Sequence, residues 1–323
     1  MKPLVIAAYF DGRPGHEKQT RGILNALTEL TPIEVIAKEV AVDRLSYVKN
    51  WLTYIIPYRG LIHEKIPYAD LIIGTGTHTH LSMLKHLKQQ RKSTGRTGRV
   101  VTCMTPETIL QKFFDLCCIP MHDQPAPAAN VFVTQGPPNT VRHGDRHQND
   151  KGLILLGGVD PKSHIWKSDR ITADIRTIID NNPEKLWTVS SSPRTPDESC
   201  AGMEALVKER RNVDFIRFEK TPSGWVEEQY ALNQTVWVTS DSVSMVYEAL
   251  TAGCSVGVLP VEWRRPDNKF NISLQYLTEK EMIVDFQAWL GGTPMPVNNG
   301  RKFNESHRCA VEILRRWWPE RLQ

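Results

Sequence analysis

Short apolar runs alternate with longer amphipathic stretches along the chain. Residues 4–9 form a continuous apolar run that ends in a polar loop, the pattern of a strand buried on both faces. Beyond the loop Ile23, Leu24, Leu27 and Leu30 recur at helical spacing, which predicts a helix through Leu30. Residues 33–42, 71–74, 100–103, 116–120 and 131–134 predict further strands. The apolar, aromatic stretch 43–62 predicts a helix broken near Pro57. The segment 135–151 is rich in Pro, Asn, Asp and His and has no apolar period, so it reads as a linker. The alternation then restarts, with strands at 153–156, 187–190, 215–218, 236–239 and 255–259 and helices around 171–180, 198–210 and 242–252.

Strands alternating with helices imply βαβ units and parallel sheets. The expected fold class is therefore α/β, with two doubly wound, Rossmann-like domains facing each other across a cleft. The expected bounds are 1–145 for an N-terminal, acceptor-side domain and 150–302 for a C-terminal, donor-side domain. Residues 303–323 would form a C-terminal helix that packs back on the N-terminal domain, with Ala310, Val311, Leu314 and Trp318 on one face. Trp317 and Trp318 lie beside Arg308, Arg315, Arg316 and Arg321, which leaves two readings: a packed helix, or a cationic aromatic patch for a membrane surface. Trp51, Arg59 and Lys65 are candidates for the same surface.

Composition narrows the class. The 323 residues exceed what one hydrophobic core usually serves. With 40 Lys+Arg against 36 Asp+Glu, the formal charge of +4 is too small to point to nucleic acid. No apolar run approaches the ~18–20 residues that span a bilayer, and the opening residues do not read as a signal peptide. The six cysteines show no CxxC spacing and read as reduced packing thiols. These features predict a cytoplasmic protein, peripheral at most on the cytoplasmic face of the inner membrane.

In open α/β sheets, ligands bind outside the carboxyl ends of the strands. Four loops there carry suitable chemistry. In the first, Gly12, Arg13 and Gly15 offer backbone to a phosphate or acceptor, while Asp11 and His16 are candidate general bases. In the second, Gly157 and Gly158 end a strand in small residues. In the third, Ser191, Ser192, Arg194 and Thr195 suggest a diphosphate clamp, since a guanidinium matches phosphate with a forked donor pair. The fourth brings Asp241, Ser242, Ser244 and Met245 to a helix start, with Glu248 one turn further on as a candidate acceptor for a ribose diol. There is no GxGxxG run, which argues against a nicotinamide enzyme. The pairs His78/His80 and His143/His147 lack a third ligand, so no metal and no cofactor beyond a nucleotide-sugar co-substrate is expected.

Taken together, DGRPGHEKQ, FFDLCCIPMHD, NVFVTQGPPNTV, LILLGG, SSSPRTP and VTSDSVSMVYEALTAG resemble, in this order, the motifs of the plant "elongated mitochondria" fission family and its bacterial relatives. Pro193 departs from that pattern, where the family tends to place Ser or Arg. The resemblance implies a GT-B fold, as in nucleotide-sugar glycosyltransferases, and is more remotely similar to the peptidoglycan N-acetylglucosamine transferase. It implies that His16 or Asp11 serves the acceptor hydroxyl while Ser242, Ser244 and Glu248 hold the donor nucleotide. The expected function is metal-independent sugar transfer from a nucleotide diphosphate or monophosphate sugar to a lipopolysaccharide-core or lipid-linked acceptor. Two alternatives stand beside it. One is a non-catalytic or membrane-associated adaptor on the same scaffold. The other is a nucleotide-sugar epimerase, which needs a Tyr-x-x-x-Lys pair near a dinucleotide; Tyr276 and Lys280 fit the spacing, and Tyr54–Tyr58 is the other stretch near it.

Overall fold

The computed structural model describes residues 1–43, 51, 66–297 and 302–322. It divides into two compact units, Met1–Thr140 with Asn304–Gln323, and Val141–Phe303. In the first, β1 (Leu4–Phe10), α1 (Pro14–Leu30), β2 (Ile33–Glu39), β3 (Leu71–Gly74), α2 (Thr77–Thr94), β4 (Arg99–Thr102), α3 (Thr108–Gln111), β5 (Leu116–Pro120) and β6 (Val131–Thr134) follow one another. The six strands form one sheet in the order β2-β1-β3-β4-β5-β6, with every neighbouring pair parallel.

Successive strand residues face opposite sides of a sheet, and both sides here are covered. Ile6, Ala8 and Leu71 pack with Ile23 and Leu27 of α1 and with Cys309, Ile313 and Leu314 of the C-terminal helix Glu305–Trp317. Ala7, Tyr9 and Ile72 pack with Leu81, Met83 and Leu84 of α2 on the other side. That double cover is why the strands read as unbroken apolar runs.

The second unit repeats the plan: β7 (Gln148–Leu155), β8 (His164–Ile165), α4 (Ser168–Asp180), β9 (Leu186–Ser190), α5 (Asp197–Glu209), β10 (Val213–Ile216), α6 (Trp225–Leu232), β11 (Asn233–Thr239), α7 (Val243–Ala252), β12 (Ser255–Leu259), β13 (Glu262–Trp263), α8 (Lys269–Glu279), β14 (Ile283–Asp285) and α9 (Phe286–Leu290). Its main sheet has the order β10-β9-β7-β11-β12-β14, again all parallel, and β8 and β13 form a small antiparallel pair. Leu153, Val236 and Val238 pack under α7, and Ile154 and Trp237 under α4 and α5. Each unit is a doubly wound, Rossmann-like α/β sheet.

Several elements differ from the sequence reading. The strand expected at 33–42 stops at Glu39. The linker expected at 135–151 yields its last residues to β7, which starts at Gln148. Helix α2 was not expected at all: its covered face carries Thr79, His80, His86 and Gln90 among its apolar residues, so its apolar period is faint. Gln90 is held there by the backbone of Ala69, accepting from its N–H and donating to its oxygen at 2.9 Å each. Within the stretch 43–62 only Asp43 and Trp51 are described, and Trp51 is half-buried on the α2 side of the core. Arg59, Lys65, Pro57 and the Tyr54–Tyr58 stretch lie outside the described residues.

The C-terminal helix and its cationic aromatic residues belong to the first unit. Trp317 and Trp318 pack on the first unit's core, and the Arg99 guanidinium lies 5.4 Å from the Trp317 ring centroid. Arg308 pairs with Glu305, and Arg315 and Arg316 both pair with Glu312, at 2.6 Å each. Arg321 donates to the Lys2 carbonyl and Thr31 hydroxyl at 2.9 Å. Among the described residues no helix is long and apolar enough to cross a membrane. All six cysteines are buried free thiols.

Candidate functional site

A doubly wound sheet binds ligands where neighbouring strands send their crossovers in opposite directions. In the first unit that point lies between β1 and β3. The loop after β1 supplies Asp11, the first turn of α1 supplies His16, and the loop after β3 supplies Thr75 and Gly76. The Asp11 side chain is fully buried; its Oδ2 lies 2.8 Å from His16 Nδ1, and its Oδ1 accepts from the Arg13 N–H at 3.2 Å. A carboxylate only accepts, so in a neutral ring Nδ1 would carry the hydrogen and Nε2 the lone pair. The His16 side chain is 24% exposed, within reach of a ligand. Gly12, Arg13 and Gly15 are exposed on the same loop.

Gly76 explains how the pair is held. Its φ is 109°, and a Cβ there would stand 2.3 Å from Asp11 Oδ2 and 2.6 Å from His16 Nδ1. Only glycine lets β3's loop pass this close. Thr20 Oγ1 and Thr75 Oγ1, 2.9 Å apart, tie α1 to the same loop. Below it His80 is fully buried, with Nε2 3.1 Å from Thr102 Oγ1 and its ring edge on Phe114. Burial drives its pKa down to about 4; the nearby His16 adds to the shift and Asp11 opposes it. His80 is thus neutral at physiological pH.

In the second unit the switch point lies between β7 and β11. Gly157 and Gly158 follow β7, and Ser240, Asp241 and Ser242 follow β11. The Asp241 side chain is 1% exposed, and its Oδ2 accepts from the Gly158 N–H at 3.1 Å, from Arg194 Nη2 at 2.8 Å and from the Ser242 hydroxyl at 3.3 Å. The Gly157 N–H donates to Thr239 Oγ1 at 2.7 Å. Three of Arg194's five N–H donors go inward, to Asp241, Ser242 and the Gly158 carbonyl. Its side chain is 44% exposed, so the remaining donors can meet an anion.

The other hydroxyls predicted to touch a donor are engaged in building the loop. Ser192 Oγ donates to the Gly157 carbonyl at 2.6 Å, Thr195 Oγ1 bonds the same carbonyl, and Ser191 Oγ accepts from the Phe218 N–H at 3.0 Å. Ser242 occupies the N-cap position of α7 without capping it. The first N–H groups of α7 therefore lack a side-chain acceptor and, with the helix dipole, favour an anion. Ser244 is exposed at that end, and Met245 is half-buried. Glu248 is 4% exposed, beside the fully buried Tyr230, whose hydroxyl is pushed to a higher pKa by burial and then by Glu248.

The histidine pairs do not assemble a metal centre. His143 and His147 each face a backbone carbonyl, of Ala252 at 3.1 Å and Tyr230 at 3.0 Å. Among the described residues no group of three or more His, Cys, Asp or Glu is placed to hold a metal ion. Tyr276 and Lys280 share α8 and its C-cap, with the ammonium 5.8 Å from the Tyr276 ring centroid. Sequence reasoning missed Gly76 and Thr75, and weighed His80 only as a metal ligand. Their signal was present: GTGTHTH follows an apolar run as the other loops do.

A family model described as Mitochondrial fission ELM1 matches residues 14–317. No curated protein matches the chain. Solved structures to which the chain is similar include a UDP-GlcNAc 2-epimerase from Neisseria meningitidis bound to UDP-GlcNAc, 14% identical over 97% of this chain and 100% of that one, with a TM-score of 0.47. Another is the Methanocaldococcus jannaschii UDP-GlcNAc 2-epimerase in complex with UDP-GlcNAc and UDP, 14% identical over 97% and 100%, with a TM-score of 0.45. A third is the glycotransferase of kitacinnamycin, 10% identical over 100% and 96%, with a TM-score of 0.47.

Proposed function

The chain belongs to the mitochondrial fission ELM1 family, and we propose that it is a glycosyltransferase that moves a sugar from a nucleotide-sugar donor to a hydroxyl of a cell-envelope glycolipid or oligosaccharide. The observation that carries this reading is the Asp11–His16 pair at a switch point, 2.8 Å apart over a glycine that admits no side chain. In the reaction, His16 Nε2 takes the acceptor proton as the acceptor oxygen bonds the anomeric carbon. The bond from that carbon to the diphosphate breaks, and its electron pair leaves with the diphosphate. Buried Asp11 holds the imidazole in the basic tautomer and stabilises the imidazolium that forms. In the second unit, the outward donors of Arg194 and the start of α7 offset the charge of the leaving diphosphate. Glu248 is proposed to accept from the donor ribose.

The test follows release of nucleoside diphosphate from a panel of UDP-, GDP- and ADP-sugars in the presence of an extracted envelope glycolipid fraction. His16→Gln is expected to slow release by roughly 10²–10⁴-fold, the usual worth of a positioned base. Release that His16→Gln leaves untouched would remove the dyad from the chemistry.

A second reading, a non-catalytic adaptor on the same scaffold, is favoured by one observation: Ser191, Ser192 and Thr195 are already engaged within their own loop. It predicts a folded chain that neither binds nor cleaves any sugar nucleotide.

A further inference from the structure

The second unit holds a cavity of about 650 Å³ between α8 and the carboxyl ends of β12 and β14. That is within the range of small-molecule sites. It begins at Ser240, one residue from Asp241, and so adjoins the Gly158–Arg194–Asp241 cluster. Its floor is apolar, with Val258, Leu274 and Ile283. One wall is the Trp263 indole, fixed by stacking on Phe270 at 6.4 Å and by an edge contact with His164 at 5.8 Å. Around it stand Asn271, Gln275, Thr278, Glu279 and Asp285. The Asp285 carboxylate is oriented by the N–H groups of Gln287 and Ala288, both at 3.0 Å.

This lining has a definite chemical preference. An aromatic wall packs against the C–H face of a ring, while amides and carboxylates meet a rim of hydroxyls. Acceptors are in surplus, which suits a ligand with many O–H donors and suits a nucleobase poorly, since a base offers one or two. Two carboxylates and, among the described residues lining the cavity, neither Lys nor Arg disfavour any anionic group. We propose that this cavity receives the sugar of the donor as a neutral or amino hexose and rejects a uronate, an inference that rests on the glycosyltransferase reading above.

Calorimetric titration of the full chain with UDP, UDP-N-acetylglucosamine, UDP-glucuronate, GDP and GDP-mannose tests it. The neutral sugar of the matching nucleotide is expected to tighten binding about tenfold over the free diphosphate, and the uronate to give no gain. Gln275→Ala and Trp263→Ala should erase that gain and leave diphosphate affinity unchanged. Glu279→Lys should narrow the gap between uronate and neutral sugar. Should Trp263→Ala fail to fold, Gln275→Ala carries the test and Trp263→Phe should keep the gain. The proposal fails if the gain survives both truncations or if the uronate binds as tightly. It also fails if Trp263→Ala weakens the bare diphosphate as much as the sugar nucleotide, because the cavity then holds the base. If no diphosphate binds at all, the glycosyltransferase reading itself has failed, and this inference goes with it.

Discussion

Replacing Gly76 by alanine alters no reactive group, yet it should dismantle the Asp11–His16 pair. Two effects add. An L-residue held at φ 109° is strained, by about 1–3 kcal/mol. The new Cβ, 2.3 Å from Asp11 Oδ2 and 2.6 Å from His16 Nδ1, must also push these side chains away. That forfeits a charge-assisted hydrogen bond worth about 1.5–3 kcal/mol. The expected loss is therefore roughly 2.5–6 kcal/mol. Gly12→Ala is the control: its φ is 72°, with nothing within 4 Å of the added Cβ, so backbone strain alone should cost about 1–2 kcal/mol. Urea unfolding at pH 7.5 gives the two stabilities, and nitrogen-15 NMR of the imidazoles shows whether Nδ1–H of His16 remains hydrogen-bonded. The reasoning is refuted if Gly76→Ala is no more destabilising than Gly12→Ala and the His16 Nδ1 proton is retained.

Other expectations follow from the same geometry. Arg194→Ala should weaken nucleoside diphosphate binding about 10–100-fold by titration calorimetry, and it should lower the melting temperature of the ligand-free chain because it leaves the buried Asp241 carboxylate without its guanidinium. Glu248→Gln should lower nucleotide affinity roughly tenfold with the fold intact by circular dichroism, and unchanged affinity removes Glu248 from the site. His80 has a folded pKa of about 4 against 6.5 unfolded, so only the unfolded chain takes up its proton between those values. Stability should be full above pH 6.5 and decline as pH falls to about 4, by ~3 kcal/mol in total. His80→Gln should flatten that part of the stability–pH curve, and an unaltered slope contradicts the assignment. Ile313→Ala, fully buried between the C-terminal helix and the first sheet, should cost about 2–4 kcal/mol in urea unfolding.

Some of this was legible in the chain and some was not, for physical reasons. Strands such as Leu71–Gly74 announce themselves because both faces are covered and every position is apolar. Asp11 and His16 are near neighbours in sequence, so their pairing could be suspected from one loop. Gly76 could not be tied to them, since register between β1 and β3 brings it there from a distant segment. Likewise the Arg194–Asp241 pair joins two loops that only the β7–β9 and β7–β11 ladders bring together. That pairing also revises the role of Arg194, from a clamp open on all sides to one already half-engaged. Helix α2 stayed hidden because a buried face can be polar when each polar group has its partner, as Gln90 does with Ala69.

The central claim is that this chain binds and uses a nucleotide sugar, and binding is its most direct test. Thermal melting with UDP, GDP, ADP and CMP and their sugars should show at least one that raises the melting temperature by several degrees at saturation. A ligand at a hundred times its Kd adds about 2.7 kcal/mol to the folded state. At the same ligand concentration the rise should shrink to about half or less in Arg194→Ala. A flat melting temperature across the whole panel, with the wild-type chain folded, would contradict the account.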